Sequence, residues 1–147
     1  MIKQRTEWAA FLLRVSLGIL MLAHGLTKLF VFTLAGTAGF FESVGFPGVL
    51  AYPVTFAEIL GGVLLIIGYQ SRWAALAMVP VLLGATSVHW GNGWVFNAPN
   101  GGWEFPAFLT VVSLVQFVLG TDGALSVGAL LDSRPRADHG EVLSVAS

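Results

Sequence analysis

Four apolar stretches recur along the chain, at about 8–32, 48–69, 73–90 and 103–119, separated by segments rich in Gly, Pro, aromatic and polar residues. Each is near the length a helix needs to cross ~30 Å of hydrocarbon at about 1.5 Å of rise per residue. Trp8, Tyr52, Tyr69, Trp73, Trp90, Trp94 and Trp103 stand at or near the ends of these stretches, where an amphipathic ring prefers the headgroup layer. Pro53 and Pro106 fall in first turns, where a missing N–H costs little. Pro80 falls mid-span and predicts a kink in the third helix. Residues 122–132 predict an interfacial turn, and 133–147 a polar tail. The pattern predicts an all-α integral membrane four-helix bundle over residues 1–132, followed by the tail.

Composition supports the same solvent. The 147 residues are 56% apolar and 10% charged, against about 45–50% and about 25% in an average soluble domain. A globule this small leaves much of its surface exposed, and 15 Lys, Arg, Asp and Glu side chains cannot cover it. Disorder, collagen and coiled coil are excluded by the same proportions. The absence of Cys excludes disulfides, Fe–S clusters, c-type haem attachment and thiol catalysis by this chain. A formal net charge of −1 with no basic stripe gives no reason to expect nucleic acid.

Lys and Arg in short loops favour the cytoplasmic side. With the N-terminus inside, that side collects Lys3, Arg5, Arg72, Arg134 and Arg136, whereas residues 33–47 and 91–102 contain no Lys or Arg. The expected topology is therefore N-in and C-in, with a tight inner turn at 70–72, two longer Gly/Pro/aromatic loops outside and a cytoplasmic tail. A cleaved signal peptide is the competing reading of the first 25 residues. Arg14 interrupts that apolar stretch, and no small-x-small site follows it.

Ionisable residues inside the spans carry the functional signal, since each costs ~2.5–3.5 kcal/mol at a helix centre on insertion scales. Glu58 lies mid-span, and its short side chain cannot reach an interface roughly 15 Å away. It must be neutral, paired or facing water. Arg14, His24 and Lys28 fall on one stripe of the first helix and extend over about 21 Å of its length. In the expected topology His24, Lys28, Glu58, His89 and Glu104 lie in the outer half and Arg14 in the inner half.

Each residue also has a structural reading. Arg14 and Lys28 can snorkel to opposite interfaces. His24 can be a neutral histidine on a backbone carbonyl, and His89 a loop anchor. Glu104 suits a helix N-terminus, Asp122 a turn or cap, and Glu58 an ion pair with the first helix. Gly18, Gly25, Gly61 and Gly62 permit close helix packing. The outer loop with Trp90, Trp94, Phe96 and Trp103 is either a lid over an aromatic ring or a segment lying in the headgroups.

Leu13-Arg14 with Leu17-Gly18, His24-Gly25-x-x-Lys28-Leu29, Gly39-Phe40-Phe41 and Gly45-Phe46-Pro47 open a longer pattern. It continues through Ala57-Glu58 with Gly61-Gly62, Gly68 followed by Arg72, His89, and Gly101-Gly102-Trp103-Glu104. Over nearly all of residues 8–132 the chain resembles the DoxX family of small four-helix bacterial membrane proteins. The resemblance implies an inner (plasma) membrane bundle and membrane redox chemistry, because a related DoxD domain belongs to a thiosulfate:quinone oxidoreductase and other relatives are linked to quinone or oxidative-stress systems. The lack of Cys argues against a thiol or sulfur relay here.

The leading expectation is a redox-linked subunit with a quinone-like ligand in the outer half. His24 or His89 would exchange a proton with one ring oxygen, Glu58 would handle the proton, and Lys28 would balance negative charge. Glu104 would exchange protons with the outer loop, and Trp90 and Arg14 complete the candidate ligand contacts. A metal site built from His24, His89, Glu58 and Glu104 ranks lower, because no His pair stands at ligand spacing. No flavin or nicotinamide fingerprint is present, so electrons would come from a partner redox protein, with a homo-oligomer as the other expected assembly. The alternative is a non-enzymatic membrane scaffold, or a proton or small-solute path, in which Glu58 pairs with Arg14 or Lys28 as a structural charge.

Overall fold

A computed structural model describes residues 1–95 and 97–133. The tail expected beyond that point, with Arg134 and Arg136, and Phe96 in the aromatic loop lie outside the described residues. The described chain is all-helical, without strands: α1 (Ile2–Leu26), α2 (Thr33–Ser43), α3 (Ala51–Ile67), α4 (Ser71–His89), α5 (Glu104–Leu119) and α6 (Val127–Asp132). A π-helical turn, Thr27–Val31, extends α1. The 3-10 turns Gly48–Leu50 and Trp90–Asn92 precede α3 and follow α4.

Helix α1 starts at Ile2, six residues before the expected span, because Lys3, Gln4, Arg5 and Glu7 are good helix formers that a hydropathy reading passes over. Residues 33–47, read as loop, contain α2. Its Gly and Thr residues give little helical periodicity, and contacts with the end of α1 hold it. Pro80 sits inside α4, which continues on both sides of it. Three helical segments are long and apolar enough to cross a membrane, Ile2–Val31, Gly48–Ile67 and Ser71–Asn92; the fourth, Glu104–Leu119, is shorter.

The four long helices pack in ring order, α1 on α3, α3 on α4, α4 on α5 and α5 back on α1. Their core is Leu17, Met21, Leu65, Ala74, Ala75, Met78, Leu82 and Leu109. Outward-facing positions are also apolar, including Leu12, Phe30, Phe56, Leu83, Phe108 and Val118, so the surface has the polarity that lipid requires. The α1–α3 contact is backbone on backbone: a Cβ at Gly62 would lie 2.6 Å from the Leu22 nitrogen. At the end of α3, Gly68 takes the left-handed conformation, φ 70°, and closes the helix by donating to the Leu64 carbonyl at 3.0 Å.

The molecule thus has two dissimilar ends. One, called the upper end below, carries α2 and the aromatic loop between α4 and α5. The other, the lower end, carries the α3–α4 turn, residues 120–126 and α6.

Candidate functional site

Glu58 lies on the buried stripe of α3, only 4% exposed. Its two carboxylate oxygens each lie 2.5 Å from Lys28 Nζ. The pair forms because helices α1 and α3 touch here: a Cβ on Gly25 would be 3.2 Å from the Glu58 Cβ. Lys28 belongs to the π-helical turn, a local widening of the helix that recurs at functional positions. Thr37 of α2 is buried over that turn, and its hydroxyl donates to the Thr33 carbonyl at 2.9 Å and the Lys28 carbonyl at 3.3 Å. A charge pair so enclosed gains from mutual attraction and loses hydration, so its net worth is small while loss of either partner is costly.

His24 precedes Gly25 and faces the other way, toward α5. Its ring stacks on Phe105 with centroids 6.4 Å apart and planes 29° apart. Nδ1 lies 2.7 Å from the Leu20 carbonyl oxygen, which can only accept, so Nδ1 carries the hydrogen. The neutral ring therefore presents Nε2 as a proton acceptor. Glu58 and Phe105 share one layer, since adjacent α1 residues meet them. Beside it, Trp94, Glu104, Phe105 and Phe108 line an open cleft of about 340 Å³.

The aromatic loop is folded on itself. Trp103 stacks on Trp90, 4.6 Å between centroids, and meets Trp94 edge-on at 4.5 Å. His89 donates from Nδ1 to the Asn100 carbonyl at 3.0 Å. Asn92 donates to the same carbonyl at 3.0 Å and to that of Gly101 at 2.9 Å. His89 thus anchors the loop, and Trp90 is part of its stack. Neither meets the Lys28–Glu58 pair in these contacts. The described residues contain no group of three His, Cys, Asp or Glu side chains able to hold a metal ion. Of the four residues considered for such a site, His24, His89 and Glu58 each engage a separate partner.

Arg14 is not part of the upper layer. It is fully buried at the lower end, where all five of its N–H groups are used. Nε donates to Asp122 O at 2.6 Å, Nη1 to Leu65 O and Ile66 O at 2.9 and 2.6 Å, and Nη2 to Ala124 O and Leu125 O at 2.9 and 2.8 Å. The cation thereby satisfies carbonyls at the C-terminus of α3, where positive charge is favoured. It does not snorkel to water. Asp122 caps from a distance: its Oδ1 accepts the Ser71 backbone N–H at 2.8 Å, at the start of α4. Sequence reasoning placed Asp122 as a turn or cap but missed Thr37, Asn92 and Phe105. Phe105 was adjacent to the singled-out Glu104, and the other two had only ordinary loop chemistry to mark them.

Comparisons with known proteins agree on one family. The DoxX family model matches residues 9–90. A Bacillus subtilis (strain 168) protein named "Putative oxidoreductase CatD" is 38% identical over 79 residues, which is 54% of this chain and 58% of the relative. The match therefore spans a little over half the length of that protein. No solved structure matches the chain.

Proposed function

The chain belongs to the DoxX family, and we propose that it is a bacterial inner-membrane four-helix protein, N-in and C-in, acting as a redox-linked subunit that binds a quinone-like ring at its upper end. The observation that carries this reading is the buried Lys28–Glu58 pair in the same layer as His24 and Phe105, beside an aromatic cleft. The cleft is within the about 300–1,000 Å³ common for small-molecule sites, and its Trp and Phe walls suit a flat ring. The name of the B. subtilis relative supports the redox assignment.

A quinone, when bound, supplies a two-electron, two-proton couple. His24, held by the Leu20 carbonyl, accepts a proton at Nε2 when neutral and donates one only as imidazolium. Glu58 is the carboxylate that takes or yields the second proton, and Lys28 is the cation paired with it. Glu104, at the cleft, passes protons to the water outside. His89 and Trp90 hold the loop that closes the site, and Arg14 fixes the far end. Electrons come from a partner protein.

The test is extraction and native mass spectrometry of the protein purified in mild detergent. The expected result is stoichiometric quinone in the wild type, lost in Glu58→Gln and His24→Ala while circular dichroism keeps its helical signature. If no quinone is retained or taken up, and both substitutions collapse the fold, the redox reading fails. The second reading then holds: a scaffold with a structural ion pair, favoured by the way Lys28 engages both Glu58 oxygens.

A further inference from the structure

Among the described residues, helical threonines keep their hydroxyls in local hydrogen bonds with one exception. Thr6, Thr27, Thr37, Thr86 and Thr110 each donate the side-chain hydroxyl to the carbonyl four residues earlier, at 2.7–3.2 Å. Thr33, in the first turn of α2, instead accepts from the Gly36 N–H at 3.2 Å. Thr55 does neither. Its hydroxyl is buried, the residue being 2% exposed, and has no hydrogen-bond partner among the described residues. The usual back-bond was available on α3 and is not made, so the hydroxyl is turned off its own helix.

The position is informative. Ala51, Thr55, Glu58, Gly62 and Leu65 are all buried at four-three spacing and form one stripe on α3. Thr55 is one turn from Glu58, about 4.5 Å along the axis. Among the described residues the other unpartnered buried oxygens, on Ser71, Ser113 and Gln116, lie in the lower half. Among the described residues, Thr55 alone carries an unpartnered buried hydroxyl on the stripe that holds Glu58. Buried polar atoms without partners are rare and call for a missing one.

Resting on the reading above, we infer that Thr55 is a ligand-contacting residue, whose hydroxyl donates to a carbonyl oxygen of the ring bound beside Lys28 and Glu58. A carbonyl oxygen of a quinone accepts and cannot donate, which matches a hydroxyl with its hydrogen uncommitted. The residue acts on affinity and orientation, and the protons stay with His24 and Glu58.

The experiment uses the full chain in lipid nanodiscs and titrates a short-chain water-soluble quinone by quenching of tryptophan fluorescence. Thr55→Val keeps the shape and removes the hydroxyl; Thr55→Ser keeps the hydroxyl. The expected result is binding weakened roughly fivefold to tenfold in Thr55→Val, as for one neutral hydrogen bond. Thr55→Ser binds within about twofold of the wild type, and the Tm of the valine variant is unchanged or raised, since it loses no bond within the protein. Wild-type affinity in Thr55→Val overturns the inference. So does weaker binding that comes with a drop in Tm in both variants, which marks a packing role. A wild type that binds no quinone overturns this inference and the redox reading together, whereas binding by all three chains leaves the redox reading standing alone.

Discussion

Replacing Arg14 tests how the lower end is held. Its guanidinium satisfies five backbone carbonyls from two separate segments, 65–66 and 122–125. Hydrogen bonds inside membrane proteins average about 0.6 kcal/mol each by double-mutant cycles, so five sum to about 3 kcal/mol. Removing one side of a buried charged arrangement typically costs about 3–5 kcal/mol. The two routes agree. Arg14→Met, similar in length and without donors, is expected to lose about 3–5 kcal/mol. Arg14→Lys has three donors and no planar fork, so it keeps part of the set and falls between. For a chain this size about 2–4 °C of Tm accompanies each kcal/mol, giving roughly 6–20 °C for the methionine variant. The assay is thermal unfolding in detergent followed by tryptophan fluorescence, with limited proteolysis reporting release of residues 120–126. A methionine variant melting within about 2 °C of the wild type, with that segment still protected, would refute the five-carbonyl account.

Two further outcomes follow from the fold and the proposed topology. Lys28→Met and Glu58→Met should each destabilise by about 3–5 kcal/mol, while the double variant recovers much of the loss because no lone charge remains buried; a double variant no better than the worse single would show that the pair is uncoupled. Because the chain has no native cysteine, single cysteines at Asn97 and Arg72 report sidedness with a membrane-impermeant maleimide. Asn97→Cys should label in intact cells and Arg72→Cys only after lysis, and the reverse pattern would invert the topology.

Glu58 and its partner were legible in the sequence because a mid-span carboxylate has few ways to exist in lipid. Lys28, at the matching depth, was one of two candidate cations on the first helix. Arg14 stood on the same stripe and was grouped with the ligand contacts. Spacing by seven fixes a helix face but leaves depth to be supplied, and fourteen residues of rise separate Arg14 from Lys28. Its true partners are main-chain carbonyls, which any sequence supplies, so no residue type announces them. Helix α2 was hidden for a related reason. Thr33, with φ 62°, is a β-branched residue in the left-handed region, a conformation that local preference disfavours and that tertiary contacts must hold. Gly68 was visible as a residue, but its second role was not. A Cβ there would lie 2.7 Å from the Arg14 Cζ, so the turn that ends α3 must be bare for the guanidinium to reach its carbonyls.

A count of donors and acceptors separates the two cations, Arg14 and Lys28, by function. Arg14 spends five N–H groups on five carbonyls and has none left for a ligand. At the upper end the inventory does not close. Lys28 has three donors and directs its contacts to the two Glu58 oxygens, a carboxylate with about four acceptor sites. His24 Nε2 and the Thr55 hydroxyl add an acceptor and a donor beyond those used within the protein. A structural ion network is most stable when every polar group is satisfied, and that condition is met by Arg14, not by the pair that carries the buried carboxylate. Spare hydrogen-bonding capacity on the same buried stripe as an ionised carboxylate, and not the unpartnered oxygens of the lower half, is therefore what favours a bound molecule at Glu58 over a purely structural charge. It also means that Thr55→Val should leave stability unchanged or raised while weakening the ligand.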